Sequence, residues 1–436
     1  MLNLVVRPHR QYLLAGTGGP QKLFVMLRCL PRVREEARVP VALALVVDTS
    51  GSMRERVERG LSKLEHAIQA AHRLVEDPRL QPADQLALVQ FADEASALLP
   101  LTPLAEREQI HRAIGQLERF HGSTRMARGL RAALDALQHC PPQYARRAFV
   151  LTDGMTFDEA ECGEVIALFS EQNLPLTTLG VGTTYNHELL LELAERSRGR
   201  PAHLRSILDL DGIVETEVDL SLREVVSDTR LAVETVRGVE LESLARVYPV
   251  IWEVDRYERP YRLGNLSAGD FTVFIVELSV GGIVRPPSRA RLARFTVEYS
   301  VFGQTDRQIE GPRDLEVVFT TDETRAAVMN DEVLGYVQQK NVDRLLHRAA
   351  RQSGHDPEGA RQSLRSAIRV TQRLGNFGAT QMLRRALEEL NGTGDLSPDT
   401  VKTIRAGGRT MTVRTELTEA PDGLPSEEEI RRITGT

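Results

Sequence analysis

Seven apolar residues in a row, Val41-Ala42-Leu43-Ala44-Leu45-Val46-Val47, run directly into Asp48-Thr49-Ser50-Gly51-Ser52. A run of small and β-branched apolar residues without polar alternation reads as a strand buried on both faces, the kind found in a parallel sheet covered by helices. Such sheets bind ligands outside the carboxyl ends of their strands. A carboxylate followed by two alternate hydroxyls is a hard-oxygen donor set there, suited to Mg²⁺ rather than to a softer metal. Gly51 allows the tight backbone path that aims Ser50 and Ser52 at one point. Taken alone, the same residues also suit an ordinary turn or a helix capped by Ser50 or Ser52.

Two later segments fit the same site. Gly122-Ser123-Thr124-Arg125-Met126 opens a helical stretch that continues to Leu137. Arg147-Ala148-Phe149-Val150-Leu151-Thr152-Asp153-Gly154 is a second apolar strand ending in a carboxylate. With Asp48, Ser50 and Ser52 in a D-x-S-x-S pattern, Thr124 in a turn before a helix, and Asp153 in T-D-G after a strand, the chain resembles the von Willebrand factor A-domain family. The resemblance covers the segment from Val41 to about Leu210. It implies that these five residues form a metal-ion-dependent adhesion site. Asp48, Ser50, Ser52 and Thr124 would be direct or water-mediated ligands of Mg²⁺ or Mn²⁺. Asp153 would be a ligand or an acceptor for a metal-bound water.

Alternating strand and helix patterns over residues 41–218 predict a doubly wound, mostly parallel sheet. Helical spacing at Leu61, Leu64, Ala67, Ile68, Ala71 and Leu74 follows the first strand. Gln85 to Phe91 and Pro175 to Val181 read as further strands, with a short edge strand at Ser96 to Leu99. From 219 to 320 the period becomes two, as in Phe271 to Leu278 and Ala293 to Tyr299, which predicts a β-sandwich. The strand-like residues within 1–40 are expected to join that sandwich, making the α/β domain an insertion. Residues 321–392 return to helical spacing with breaks at Gly354 to Pro357 and Gly375 to Gly378, so a small helical bundle is expected. This arrangement resembles uncharacterised bacterial A-domain proteins with a helical C-terminal half. Residues 393–436 read as a C-terminal segment and flexible tail, in which Ser426 and Glu429 could cap one short helix.

The chain has 436 residues and a formal charge of −6, so it shows no basic excess of the nucleic-acid-binding kind. Three scattered cysteines, Cys29, Cys140 and Cys162, argue against a disulfide framework and against a zinc cluster. No apolar stretch approaches a membrane span, and the charged N-terminal break at Arg7 suits no secretory segment. The expected location is cytoplasmic, in a bacterium. Gly16-Thr17-Gly18-Gly19 lacks the Lys-[Ser/Thr] of a P-loop and reads as a hairpin turn. No G-x-S-x-G elbow occurs. The arginines at 361, 365, 369, 373, 384 and 385 read as a solvated helix face beside Glu388 and Glu389.

Two function classes follow. In the first, a non-enzymatic binding module, few ligands are anionic, so the ion is left short of negative charge. A partner's Asp or Glu then completes the shell. The resemblance points to an assembly or scaffold role beside an AAA+ ATPase or a kinase and phosphatase system. Any such ATPase would be a separate polypeptide, since this chain has no P-loop. The second class is a Mg²⁺-dependent hydrolase such as a phosphatase, with Asp48 as nucleophile. Ser50 stands where the general acid of haloacid-dehalogenase phosphatases would be, and no lysine lies in the site motifs to steady a phosphate.

Overall fold

In the computed structural model, residues 2–17, 19–32, 38–57, 60–182, 184–204, 206–281 and 285–415 are described. The chain forms two compact units. One comprises Val33–Ser227 with Ser300–Asp306, and the other comprises Met1–Arg32, Asp228–Tyr299 and Arg307–Thr436. The first interrupts the second in sequence.

The α/β unit is built on a six-stranded sheet in the spatial order Ala95–Pro103, Gln85–Phe91, Val41–Asp48, Ala145–Thr152, Leu176–Val181, Pro201–Leu204. All neighbours run parallel except the edge strand Ala95–Pro103, which is antiparallel. Every residue of Val41–Asp48 is buried, as its unbroken apolar run requires. Its side chains alternate between two helical layers. Ala42, Ala44 and Val46 pack with Leu130, Leu134 and Val165 of helices Met126–Gln138 and Glu159–Glu171. On the other face, Leu45 and Val47 border one small cavity together with Ala67, Ala71 and Leu74 of helix Lys63–Val75 and Leu210 of helix Leu210–Arg223. From Val41–Asp48 the chain moves outward on one side of the sheet, then crosses to Ala145–Thr152 on the other. The topological switch point, where such sheets form their binding crevice, therefore lies between these two strands. Their C-terminal ends carry Asp48 and Asp153.

Among the described residues, the second unit holds two five-stranded sheets and four long helices. One sheet has the order Leu2–Pro8, Gln21–Pro31, Thr272–Val280, Val239–Tyr248, Trp252–Glu253. In it Val25 pairs with Val276 and Leu4 with Cys29. The other has the order Tyr261–Ser267, Glu224–Thr235, Ser288–Val301, Gln308–Thr320, Tyr12–Leu14. The sheets meet where Leu2–Pro8 approaches Gln308–Thr320, and the Leu2 amide donates to the Tyr299 hydroxyl at 3.0 Å. Strands Tyr12–Leu14 and Gln21–Pro31 lie in different sheets. The intervening glycine stretch thus carries the chain between sheets rather than closing the expected hairpin, with Gly18 itself outside the described residues.

Helices Asp331–Gln352, Pro357–Arg373, Phe377–Thr393 and Pro398–Thr410 form the bundle. Each N-terminus is closed by its own side-chain cap, from Asn330, Asp356, Asn376 and Ser397 in turn. The fourth helix lies in the C-terminal segment expected to follow the bundle after residue 392. Its Ile404 is fully buried with Leu346, Leu364, Leu383 and Leu390, so the bundle extends beyond residue 392. The first helix also seals a sheet, burying Val333 and Tyr336 against Met26, Val247 and Ile275. Arg365, Arg369, Arg373, Arg384 and Arg385 are exposed, as a solvated face requires. The three cysteines are free and buried. The possible cap between Ser426 and Glu429 lies outside the described residues. No described helix is long and apolar enough to cross a membrane.

Candidate metal centre

The two strand ends bring their carboxylates side by side. Val47 pairs with Leu151, which puts Asp48 next to Thr152 and one residue from Asp153. Asp48 is fully buried. Its Oδ1 accepts from the Ser50 amide at 2.9 Å and its Oδ2 from the Thr152 hydroxyl at 2.6 Å. Burial pushes the carboxyl from an ordinary 3.8 up to about 6, against the opposing pull of the hydrogen bonds from Ser50 and Thr152.

After Asp48 the chain is pinned rather than loose. The Thr49 amide and hydroxyl both donate to the Phe91 carbonyl, at 2.9 and 3.1 Å. The Gly51 amide donates to the Gly122 carbonyl at 3.0 Å, joining the Asp48 loop to the Thr124 loop. A single 3-10 turn, Gly51–Arg54, follows, with Met53 buried beneath it. Ser50 stands at the cap position of that turn but makes no side-chain capping bond. Its hydroxyl instead lies 3.2 Å from that of Ser52, and Ser52 donates to Asp153 Oδ1 at 2.7 Å. The helix that follows is capped by Ser62, in a capping box with Glu65. The capping role open to Ser50 and Ser52 from sequence is therefore taken elsewhere.

Thr124 is likewise released from helix capping. The first amides of helix Met126–Gln138 are satisfied from another loop. Met126 donates to the Thr156 hydroxyl at 2.9 Å and Ala127 to Asp158 Oδ2 at 3.1 Å. The Thr124 carbonyl in turn accepts from the Phe157 amide at 3.0 Å. A Cβ built on Gly154 would lie 3.5 Å from Thr124 Oγ1 and 3.6 Å from Ser52 Oγ, so both hydroxyls border the same small space. Thr156 and Asp158 point inward on this loop, while Met155 and Phe157 are 54% and 76% exposed. They form an apolar rim.

The structure thus brings Asp48, Ser50, Ser52, Thr124 and Asp153 together from three loops. All their side-chain donors are oxygen, which fits a hard divalent cation. Among the described residues, no group of three or more His, Cys, Asp and Glu side chains is placed to hold a metal ion.

One member of the site was missed in the sequence. Lys63, the first residue of helix Lys63–Val75, reaches Asp153 Oδ2 at 2.7 Å and Glu55 Oε2 at 2.7 Å. Its side chain is 11% exposed. Burial opposes its charge, but hydrogen bonds and attraction from Asp153 and Glu55 outweigh that and raise its pKa. The signal was present. A lysine in the first turn opposes the helix dipole, which favours acidic residues there.

Comparison with known proteins agrees with this architecture. Residues 43–155 match the family model of the von Willebrand factor type A domain, and residues 331–414 match the Sll0103-like, C-terminal alpha-helical domain. An uncharacterized Synechocystis protein, sll0103, is 27% identical over 173 residues. That match spans 39% of this chain and 39% of the relative's length. Among solved structures, a von Willebrand factor type A protein from Catenulispora acidiphila is similar with a TM-score of 0.80. It is 17% identical, with 94% of this chain and 97% of that one covered. VWA2, the ArnB paralog from Sulfolobus acidocaldarius, is similar with a TM-score of 0.60 at 15% identity, covering 95% of this chain and 100% of that one. The chain therefore carries a von Willebrand factor A-type α/β fold together with β-sheets and a C-terminal helical region.

Proposed function

We propose that this protein is a metal-dependent protein-binding module. Asp48, Ser50, Ser52, Thr124 and Asp153 would hold one Mg²⁺ or Mn²⁺, and an Asp or Glu of a partner protein would complete the shell. The observation that carries this reading is the convergence of five oxygen-bearing side chains from three loops at the switch point of the sheet. When bound, the ion supplies a positive charge for an outside carboxylate. Asp48 provides a buried carboxylate whose ionisation the interior opposes, so a cation is the natural compensation. Ser50 and Ser52 are held by the pinned turn, and Thr124 is free of capping duty. The rim of Met155 and Phe157 offers a partner apolar contact beside the site. An AAA+ ATPase, or a kinase and phosphatase system, remains the proposed setting, and a cytoplasmic location is part of the proposal.

The hydrolase alternative gains Lys63, a cation that the site motifs lack. It still has Ser50 in place of a general acid. Turnover of a generic phosphoester with Mg²⁺, abolished by Asp48→Asn, would establish it over the binding reading.

The main test is calorimetric titration of Mg²⁺ into wild type and into Asp48→Ala, Asp153→Ala and Thr124→Ala. Pull-downs with the same variants in the same buffer complete it. Asp48→Ala should abolish metal binding, and Asp153→Ala should fall near it because charge is lost in both. Thr124→Ala should keep its fold and lose more partner than metal, since one neutral oxygen is removed. Unchanged metal binding in Asp48→Ala would refute the site. A partner retained by all three variants, or in excess chelator, would show that recognition lies elsewhere.

A further inference from the structure

Lys63 is placed against a local rule. A cation at the first position of a helix faces the positive end of the helix dipole. Here the side chain leaves that end, is nearly enclosed, and lands on Asp153 Oδ2 and Glu55 Oε2. The Lys63 amide also donates to the Glu55 carbonyl at 3.2 Å, which fastens the lysine to the turn following the Ser52 loop. Asp153 is fully buried, and its two oxygens are divided. Oδ1 takes the Ser52 hydroxyl and Oδ2 takes the ammonium. A departure from a local preference at a functional site signals a compensating role.

We infer that Lys63 is a positioning residue that holds Asp153 Oδ2 and offsets its charge, setting how strongly this site binds a divalent ion. The inference rests on the metal reading above. Asp48 and Asp153 carry two negative charges, and Lys63 reduces them to one. A dication bound there is then less fully neutralised by Asp48 and Asp153, and its remaining positive charge is what draws an external carboxylate. The Glu55 side chain is 66% exposed, so water screens it and it offsets Lys63 only in part. Without Lys63 the two carboxylates would neutralise the dication, hold it more tightly, and leave less attraction for a partner. Glu55 is the counterweight: it shares the ammonium and lessens its claim on Asp153.

The test is calorimetric titration of MgCl₂ into the full chain, into Lys63→Gln and into Glu55→Gln, with circular dichroism as a check on folding. The glutamine amide can still donate to Asp153, so Lys63→Gln removes the charge while sparing the contact. It should bind Mg²⁺ about tenfold or more tightly than wild type, because a unit charge one carboxylate away from a dication is removed. Glu55→Gln should bind Mg²⁺ more weakly. If wild type binds Mg²⁺ and a folded Lys63→Gln binds it equally or less well, the inference is overturned and the metal site stands. Absence of Mg²⁺ binding in both proteins overturns the metal reading along with it. Should Lys63→Gln fail to fold, Glu55→Gln decides: weaker binding supports the role of Lys63, and unchanged or tighter binding refutes it.

Discussion

Asp48→Asn should stabilise the metal-free protein at neutral pH, although it removes a proposed ligand. Asp48 is fully buried, and its carboxyl is raised from 3.8 to about 6. The folded state then binds a proton more strongly than the unfolded chain, so this group's contribution is fully present below pH 3.8. It is lost as pH rises through about 6, and it stays lost above that. The rise corresponds to ~3 kcal/mol, an order-of-magnitude figure. Asparagine carries no charge to desolvate, and its side chain can keep the bonds to the Ser50 amide and the Thr152 hydroxyl. The assay is urea unfolding of both proteins in excess chelator from pH 4 to pH 7.5, read as the difference between them so that other titrating groups cancel. Wild type should lose up to ~3 kcal/mol relative to Asp48→Asn across that window. Adding Mg²⁺ at pH 7.5 should restore wild type by mass action and leave the variant unmoved. A difference that stays constant over the whole range would refute the claim that burial raises this carboxyl.

Two further outcomes test the frame around the site. A Cβ on Gly129 would lie 2.8 Å from Phe91 Cδ1, and Phe91 is the residue whose carbonyl anchors Thr49. Gly129→Ala should therefore cost about 1–3 kcal/mol by overpacking and weaken Mg²⁺ binding together with stability. Exposed Gly115, with nothing within 4 Å of its added Cβ, is the control, and its change to Ala should leave metal binding alone. Arg147, buried on the Asp153 strand, donates to Glu217 at 3.1 Å and also pairs with Glu224. Arg147→Met removes the buried cation that Glu217 and Glu224 share, while Glu217 keeps Arg200 at 3.4 Å and the Thr177 hydroxyl at 2.8 Å, and should cost about 3 kcal/mol in urea unfolding. Adding Glu217→Gln and Glu224→Gln to that variant should recover most of the loss, and a failure to recover would show that packing, not charge, is what Arg147 supplies.

The fold was legible wherever one periodicity ran uninterrupted. Val41 to Val47 and Phe149 to Leu151 announced a two-faced parallel sheet because no polar residue could sit on either side of it. Helix Pro398–Thr410 was not legible, because Arg, Gly and Thr dominate it and its apolar face is short. Tertiary burial of Ile404 decides its state. The glycine stretch after Leu14 reads as a hairpin turn, yet it joins strands of different sheets, for a related reason. Glycines mark a turn, but which strands the turn joins depends on partners far along the chain. Tyr12–Leu14 pairs with Val318 to Thr320, a contact no local signal records.

The site shows the same division more sharply. Asp48, Ser50, Ser52, Thr124 and Asp153 could be read because each follows a strand or opens a helix, where local sequence fixes the backbone. What those residues are free to do could not be read, since it depends on who else performs the capping. Ser50, Ser52 and Thr124 have hydroxyls to spare only because Ser62 caps one helix while Thr156 and Asp158 cap the other from a separate loop. Lys63 belongs to the same category. Its distance from Asp153 in sequence hides the contact, yet its charge is wrong for the helix end it occupies. Local preference and tertiary placement disagree at Lys63 and agree at Ser62 beside it. That disagreement locates the residue whose substitution should change the site's charge without removing any of its five oxygen donors.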